Sequence, residues 1–273
     1  MKSTLELRKE KGILVAAHRG TSGGNIPSNT IASFDSAVKE GADIREIDLF
    51  KSIDGEIFVF HTGMEPAQLD RHIKVELMTS EEIRRLRLCN VDLTETFLPL
   101  NTFEEVLEHL KNKCILNLDR SIKILDDVMK IVNKHNMADQ VLLKSDPSDA
   151  SLKMVETFAP KVDYMPIFME EDVASEKIEN MNINYIGAEL VFKSESSSIA
   201  QDSYIDMMHK KGRILWGNSI VYSSRVPLAA GHNDDISLTG DPEDGWGWLA
   251  KKGFDIIQTD WTHHCVNYLR NRY

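Results

Sequence analysis

The stretch "IREIDLFKSIDGEIFVFH", residues 44–61, decides the fold. "IREIDLF" is an apolar run of strand type, yet it carries Glu46 and Asp48. Residues two apart share one face of a strand, so both carboxylates point the same way. Asp54-Gly55 is a strong two-residue hairpin signal. With those two residues as the loop, Ile53 faces Glu56, and counting outward sets Asp48 opposite His61. The strand is expected to run past its sheet, turn back and return a histidine beside two carboxylates.

Comparable runs recur along the chain: "ILVAAH" (13–18), "CILNLD" (114–119), "QVLLKS" (140–145), "VDYMPIF" (162–168), "INYIGAEL" (183–190), "RILWGN" (213–218) and "DIIQTD" (255–260). With "IREIDLF" they make eight. Helical patterns lie between them, among them "NTIASFDSAVKEG" and "TFEEVLEHLKNK". In the first, Asn29 or Thr30 can cap the N-terminus and Gly41 stops the helix. Alternating strands and helices imply parallel pairing with the helices outside. Eight units in about 250 residues fit a closed (β/α)8 TIM barrel, here with a hairpin extension after the second strand. A doubly wound open sheet is the alternative, but "HRGTSGGN" lacks the G-x-G-x-x-G fingerprint. No linker or repeat divides the chain, so residues 1–273 are expected to form one catalytic domain. The segment 220–242 is a long loop after the seventh strand, fitting a lid over the mouth or a plain surface loop equally well.

A strand buried on both faces should be apolar throughout. Here polar residues gather at the strand ends: His18, Asp119, Lys144, Trp216 and Asp260. In a (β/α)8 barrel these ends meet at one mouth, where active sites are built. Asp260 is expected to bond loop backbone, and Trp216 either walls a substrate pocket or belongs to the core.

The net charge of −11 argues against a nucleic-acid surface, which needs a basic stripe. It leaves room for a small phosphate-bearing substrate, because one arginine or metal ion inverts the local field. No segment approaches the roughly 20 apolar residues of a membrane span, so stable membrane insertion is not expected. Three cysteines without zinc spacing read as buried free thiols. With an N-terminus lacking a signal-type apolar run, they make a cytoplasmic location the expectation; a trimmed signal would mean secretion.

Glu46, Asp48 and Asp119 form an all-oxygen ligand set suited to Mg²⁺, Ca²⁺ or Mn²⁺. His18 and His61 can each serve as acid or base near neutral pH. Arg19 and Lys144 are candidate phosphate contacts. A metal, two proton-transfer groups and phosphate-binding cations together describe phosphodiester cleavage.

The sequence resembles the glycerophosphodiester phosphodiesterases. The resemblance rests on "HRG" at 18–20 and "PSNTIASFDSAVKEGADIREIDLFKSIDGEIFVFH", with weaker matches in "ILNLDR", "ILWGN" and "GFDIIQTDW". It implies a (β/α)8 barrel with His18 and His61 as general acid and base, Arg19 at the phosphate, and Glu46 and Asp48 on a divalent metal. Asp119 takes the place of a third ligand that is often glutamate. The family's lysine just beyond that ligand has no clear counterpart; Arg120 and Lys123 are approximate, and Lys144 is the substitute. Ser28 stands where the family pattern has glutamate, and Thr62 where aspartate is usual. The implied substrate is a small glycerophosphodiester. Two other readings are a phospholipase-D-like or cyclising phosphodiesterase acting on lipid head groups, and a barrel that binds without turnover.

Overall fold

The structure, a computed structural model, describes residues 2–221 and 226–273. Eight parallel strands close into a ring. In chain order they are β1 (Leu14–Ala17), β2 (Ile44–Lys51), β4 (Ile115–Asp119), β5 (Val141–Ser145), β6 (Asp163–Met169), β7 (Gly187–Val191), β8 (Ile214–Asn218) and β9 (Ile256–Thr259); β3 (Ile57–Val59) lies outside the ring. The β1–β2 and β1–β9 pairings close the circle. The eight expected strands are therefore the eight staves of the barrel.

Two apolar layers hold it. Leu14, Ile44, Ile115, Leu142, Met165, Ile214 and Ile256 fill the interior near the strands' N-terminal ends. A larger cluster, including Val15, Ile47, Leu118 and Leu143, joins the outer strand faces to the helices. The alternation within each strand follows from the pleat: neighbouring residues face opposite sides. The N-terminal end of the barrel is covered by the helix Thr4–Lys11, whose Leu7 packs against the interior cluster. Its Ser3–Glu6 capping box satisfies the first backbone N–H groups.

The hairpin forms as expected, but its register differs by one residue. β2 and β3 pair Leu49 with Val59 and Phe50 with Phe58. Asp48 therefore lies opposite Phe60, whose N–H donates to the Asp48 carbonyl at 3.0 Å, and His61 is one position out of line. The loop holds three residues, because Ser52 N–H donates to the Glu56 carbonyl and Gly55 takes a left-handed φ of 98°. Ser52 Oγ adds bonds to Asp54 and to Glu56 N–H. A three-residue hairpin with glycine at the left-handed position is a recognised alternative to the two-residue turn. Beyond β3, residues 60–100 form a lobe beside the mouth around Phe58, Phe60, Leu69, Val75 and Ile83.

Within the segment 220–242, residues 222–225 lie outside the described residues. The described remainder is anchored. Ala229 bridges to Phe192 beside β7, and Asp234 N–H donates to the Ser219 carbonyl at 2.7 Å.

Candidate active site

The site is built at the C-terminal ends of β1, β2 and β4. Glu46 and Asp48 point into the barrel from β2, and Asp119 joins them from β4, where Asp48 and Asp119 are in register. Oxygen atoms of the three carboxylates lie within 4.8 Å of one another. Glu46 and Asp48 are almost fully buried. Burial first, then the neighbouring Asp48 charge, pushes the Glu46 carboxyl up to about 8, against the pull of His18 and Arg19. Asp48 Oδ1 is buried with no hydrogen-bond partner among the described residues. A crowded carboxylate trio with an orphaned oxygen is costly by itself and fits a hard divalent cation.

The loop after β1 wraps this trio. Arg19 adopts a left-handed φ of 56°, and its N–H donates to Glu46 Oε2 at 2.8 Å. Its guanidinium Nε stands 3.0 Å from Asp48 Oδ2, an ion pair off the line a hydrogen bond needs. Asn29, also left-handed at φ 59°, donates from Nδ2 to Asp48 Oδ2 at 2.8 Å, and its Oδ1 accepts from Asp48 N–H. Asparagine tolerates this backbone better than most residues. Read from sequence as a cap candidate, Asn29 is instead a brace for Asp48, while Thr30 caps the helix Ile31–Lys39.

Gly20 follows at φ 75°, and a Cβ there would meet Ser33 Oγ at 2.6 Å and its backbone carbon at 2.7 Å. Gly20→Ala is expected to cost about 2–4 kcal/mol from left-handed strain and overpacking. Urea unfolding measures this; an unchanged midpoint would show that the helix and the His18 loop separate freely.

His18 and His61 flank the carboxylates. The Glu46 charge acts on His18, and the Asp48 charge acts on His61. Their environments push them apart. At His18 burial acts downward, but the bond to Asp260 and the charges of Glu46 and Asp260 outweigh it, so the net shift is upward. His61 is held below its ordinary value by burial, with Arg19 and Arg120 adding to it against Asp48. His61 Nδ1 is buried without a partner among the described residues.

Asp260 was expected to bond loop backbone. Its Oδ1 lies 2.7 Å from His18 Nδ1 instead. Asp260 is itself held by the buried Asp234, whose Oδ2 accepts from Asp260 N–H at 2.9 Å. Asp234 Oδ1 also accepts from Ser219, Thr259 and Trp246. Asp234 lies within the segment 220–242, which the sequence marks only as a long loop.

Two expected site residues are placed differently. Lys144, a candidate phosphate contact, is buried inside the barrel, its Nζ 2.6 Å from Glu189 Oε2 and 3.8 Å from the centre of the Trp216 ring. Its charge is committed to Glu189, which burial requires. Trp216 is fully buried and packs in the interior cluster, its Nε1 donating to Gln258 Oε1 at 3.0 Å; it is core and not a pocket wall. Arg120 stands nearer the chemistry, its Nη1 donating to the Thr62 carbonyl and Oγ1, both at 2.9 Å. Arg120 therefore ties the end of β4 to Thr62, the residue beside His61, and Ser28 Oγ accepts from Gln68 Nε2 at 2.6 Å. Both departures from the family pattern are bonded features of the mouth. A second grouping, Glu104, Glu108 and His135, lies on the outer helices, with Lys134 already on Glu104.

Fold and site together define a (β/α)8 barrel with an acidic mouth that carries two histidines. Comparisons with known proteins carry this further. A glycerophosphodiester phosphodiesterase from Caldanaerobacter subterraneus subsp. tengcongensis is 31% identical over 54% of this chain and 63% of its own length. The chain thus spans less than two thirds of that relative. A crystal structure of a glycerophosphoryl diester phosphodiesterase from Parabacteroides distasonis superposes with a TM-score of 0.75 at 19% identity, over 95% of this chain and 86% of the other. A phosphodiesterase from Oleispira antarctica, solved with the product sn-glycerol-3-phosphate, gives a TM-score of 0.67 at 17% identity, over 95% and 96%. Residues 164–269 match a family model described as a domain of unknown function. Curated relatives and structural neighbours alike name glycerophosphodiester phosphodiesterases, so the family resemblance read from the sequence holds.

Proposed function

We propose that this barrel hydrolyses glycerophosphodiesters to an alcohol and glycerol phosphate, with a divalent cation, Mg²⁺, Ca²⁺ or Mn²⁺, held by Glu46, Asp48 and Asp119. The observation that carries the reading is a pair of histidines, each in the field of one carboxylate trio and shifted in opposite directions. Such a split assigns acid and base. His61, whose neutral form burial favours, takes the proton of the attacking water or substrate hydroxyl. His18, whose protonated form Asp260 favours, gives its proton to the leaving alkoxide. Arg19 holds a phosphoryl oxygen, and Arg120 at the rim adds positive field. The cation supplies neutralisation of phosphoryl charge as it develops. The named activities of the relatives support the hydrolysis of a glycerophosphodiester.

The test is release of glycerol phosphate from a panel of glycerophosphodiesters with each of the three cations; no turnover of any member would reject the proposal. The roles of the histidines make a pH prediction. The profile of kcat/KM is a bell, its acid limb set by His61 and its alkaline limb by His18. Asp260→Asn removes the anion that raises His18, so the alkaline limb should move to lower pH while the acid limb stays. A shift confined to the acid limb would exchange the two roles.

A further inference from the structure

Scattered exposed apolar side chains are ordinary, but here their distribution is one-sided. Apart from Leu5 and Tyr273, near the chain termini, every large apolar side chain exposed among the described residues lies at or beyond the C-terminal end of a strand. That is the end where the active site opens. Phe97 is 99% exposed and Val91 84%, both on the lobe after β3, with Leu93 between them. Ile26, on the loop after β1, lines the same cleft as Val91, and Asn90 Nδ2 donates to Asn25 Oδ1 at 2.8 Å across it. Trp261, just past β9, continues the arc through a cleft shared with Ser22. Met169, the last residue of β6, and Val173, in the loop after it, stand elsewhere on the rim. The opposite end of the barrel differs: the helix Thr4–Lys11 covers it, with the ion pairs Arg8–Asp255 and Lys11–Asp43.

We propose that this rim seats the mouth on a zwitterionic phospholipid surface, presenting the site to phosphodiester head groups whose acyl chains stay in that surface. The catalytic half of this statement rests on the proposed function; the adsorption does not. Charge selects the surface. Exposed Asp92, Glu95 and Glu171 are interspersed with the apolar residues, the lobe 60–100 carries seven acidic against five basic side chains, and the chain carries a net charge of −11. An anionic membrane is repelled, whereas the ammonium groups of choline or ethanolamine meet carboxylates. Aromatic and aliphatic side chains then enter the head-group boundary. No helix among the described residues is long and apolar enough to span a membrane, so contact is peripheral.

The experiment is sedimentation of the full chain with palmitoyl-oleoyl phosphatidylcholine vesicles, alone or enriched in phosphatidylglycerol. Assays on water-soluble glycerophosphocholine and on lysophosphatidylcholine micelles accompany it. The wild type should pellet with phosphatidylcholine and less with added phosphatidylglycerol. Val91→Asp with Phe97→Asp should lower the bound fraction about tenfold or more and lower lysophosphatidylcholine turnover in step. Glycerophosphocholine turnover should stay within about twofold, since neither residue belongs to the catalytic set. Failure of the wild type to pellet, or equal pelleting of the variant, would overturn the proposal. So would a concentration-dependent dimer abolished by the same substitutions, which would assign the rim to a second copy. Vesicle binding lost in the variant, with no turnover of either substrate, would uphold adsorption and reject the hydrolase reading.

Discussion

His61→Ala is expected to lower kcat/KM for a glycerophosphodiester by roughly 10²–10⁴-fold, the range for loss of a general acid or base. His18→Ala should do the same. The two losses should not multiply, because acid and base act on one transition state. They should differ in rescue. A substrate with a good leaving group needs little protonation of its alkoxide, so it should restore much of the rate in His18→Ala and little in His61→Ala. Rescue of His61→Ala alone would reverse the roles. Local fields set the two roles: Asp260 and Glu46 outweigh burial at His18, while burial prevails at His61.

Glu46→Gln should separate stability from activity. In the metal-free protein Glu46 is raised from 4.5 to about 8. For an acid the sign is fixed: the raised folded value contributes stability below the unfolded pKa, and that stability is lost as pH rises through about 8. The metal-free wild type should therefore lose stability between about pH 4.5 and 8 through this group. Glu46→Gln removes that dependence and should raise the metal-free Tm at pH 8, while abolishing metal-dependent turnover. Cation should stabilise the wild type by about 2.7 kcal/mol at a hundredfold excess over Kd and leave the variant nearly unmoved. Such a trade is usual where function demands an unfavourable cluster. A metal-free Tm at pH 8 lower in Glu46→Gln than in the wild type would contradict the electrostatic reading of the trio.

The barrel was legible because its eight apolar runs alternate with helical patterns, and most of those runs end in a polar residue. His18, Glu46, Asp48 and Asp119 were readable for that reason, and the structure brings them to one mouth. What stayed hidden depends on pairings between distant segments. Lys144 reads as a free cation at a strand end, because nothing local shows that Glu189 waits across the interior. Trp216 reads equally as wall or core, because its layer in the barrel depends on packing against strands far away in sequence. Asp234 is one acid in a polar loop until the fold brings it to Asp260 N–H. The hairpin register slipped because "SIDGE" supports both two- and three-residue loops. Ser52, whose hydroxyl bonds Asp54 and Glu56, is the residue that favours the longer one.

The claim on which the rest depends is that the carboxylate trio and the histidine pair act together on a phosphodiester. The most direct measurement is glycerol phosphate release from glycerophosphocholine by protein stripped with chelator and then reloaded with Mg²⁺, Ca²⁺ or Mn²⁺, in wild type and His18→Ala. Turnover should be lost on stripping, restored in the wild type by at least one cation, and not restored in His18→Ala. Turnover that survives stripping, or that persists undiminished in His18→Ala, would contradict it.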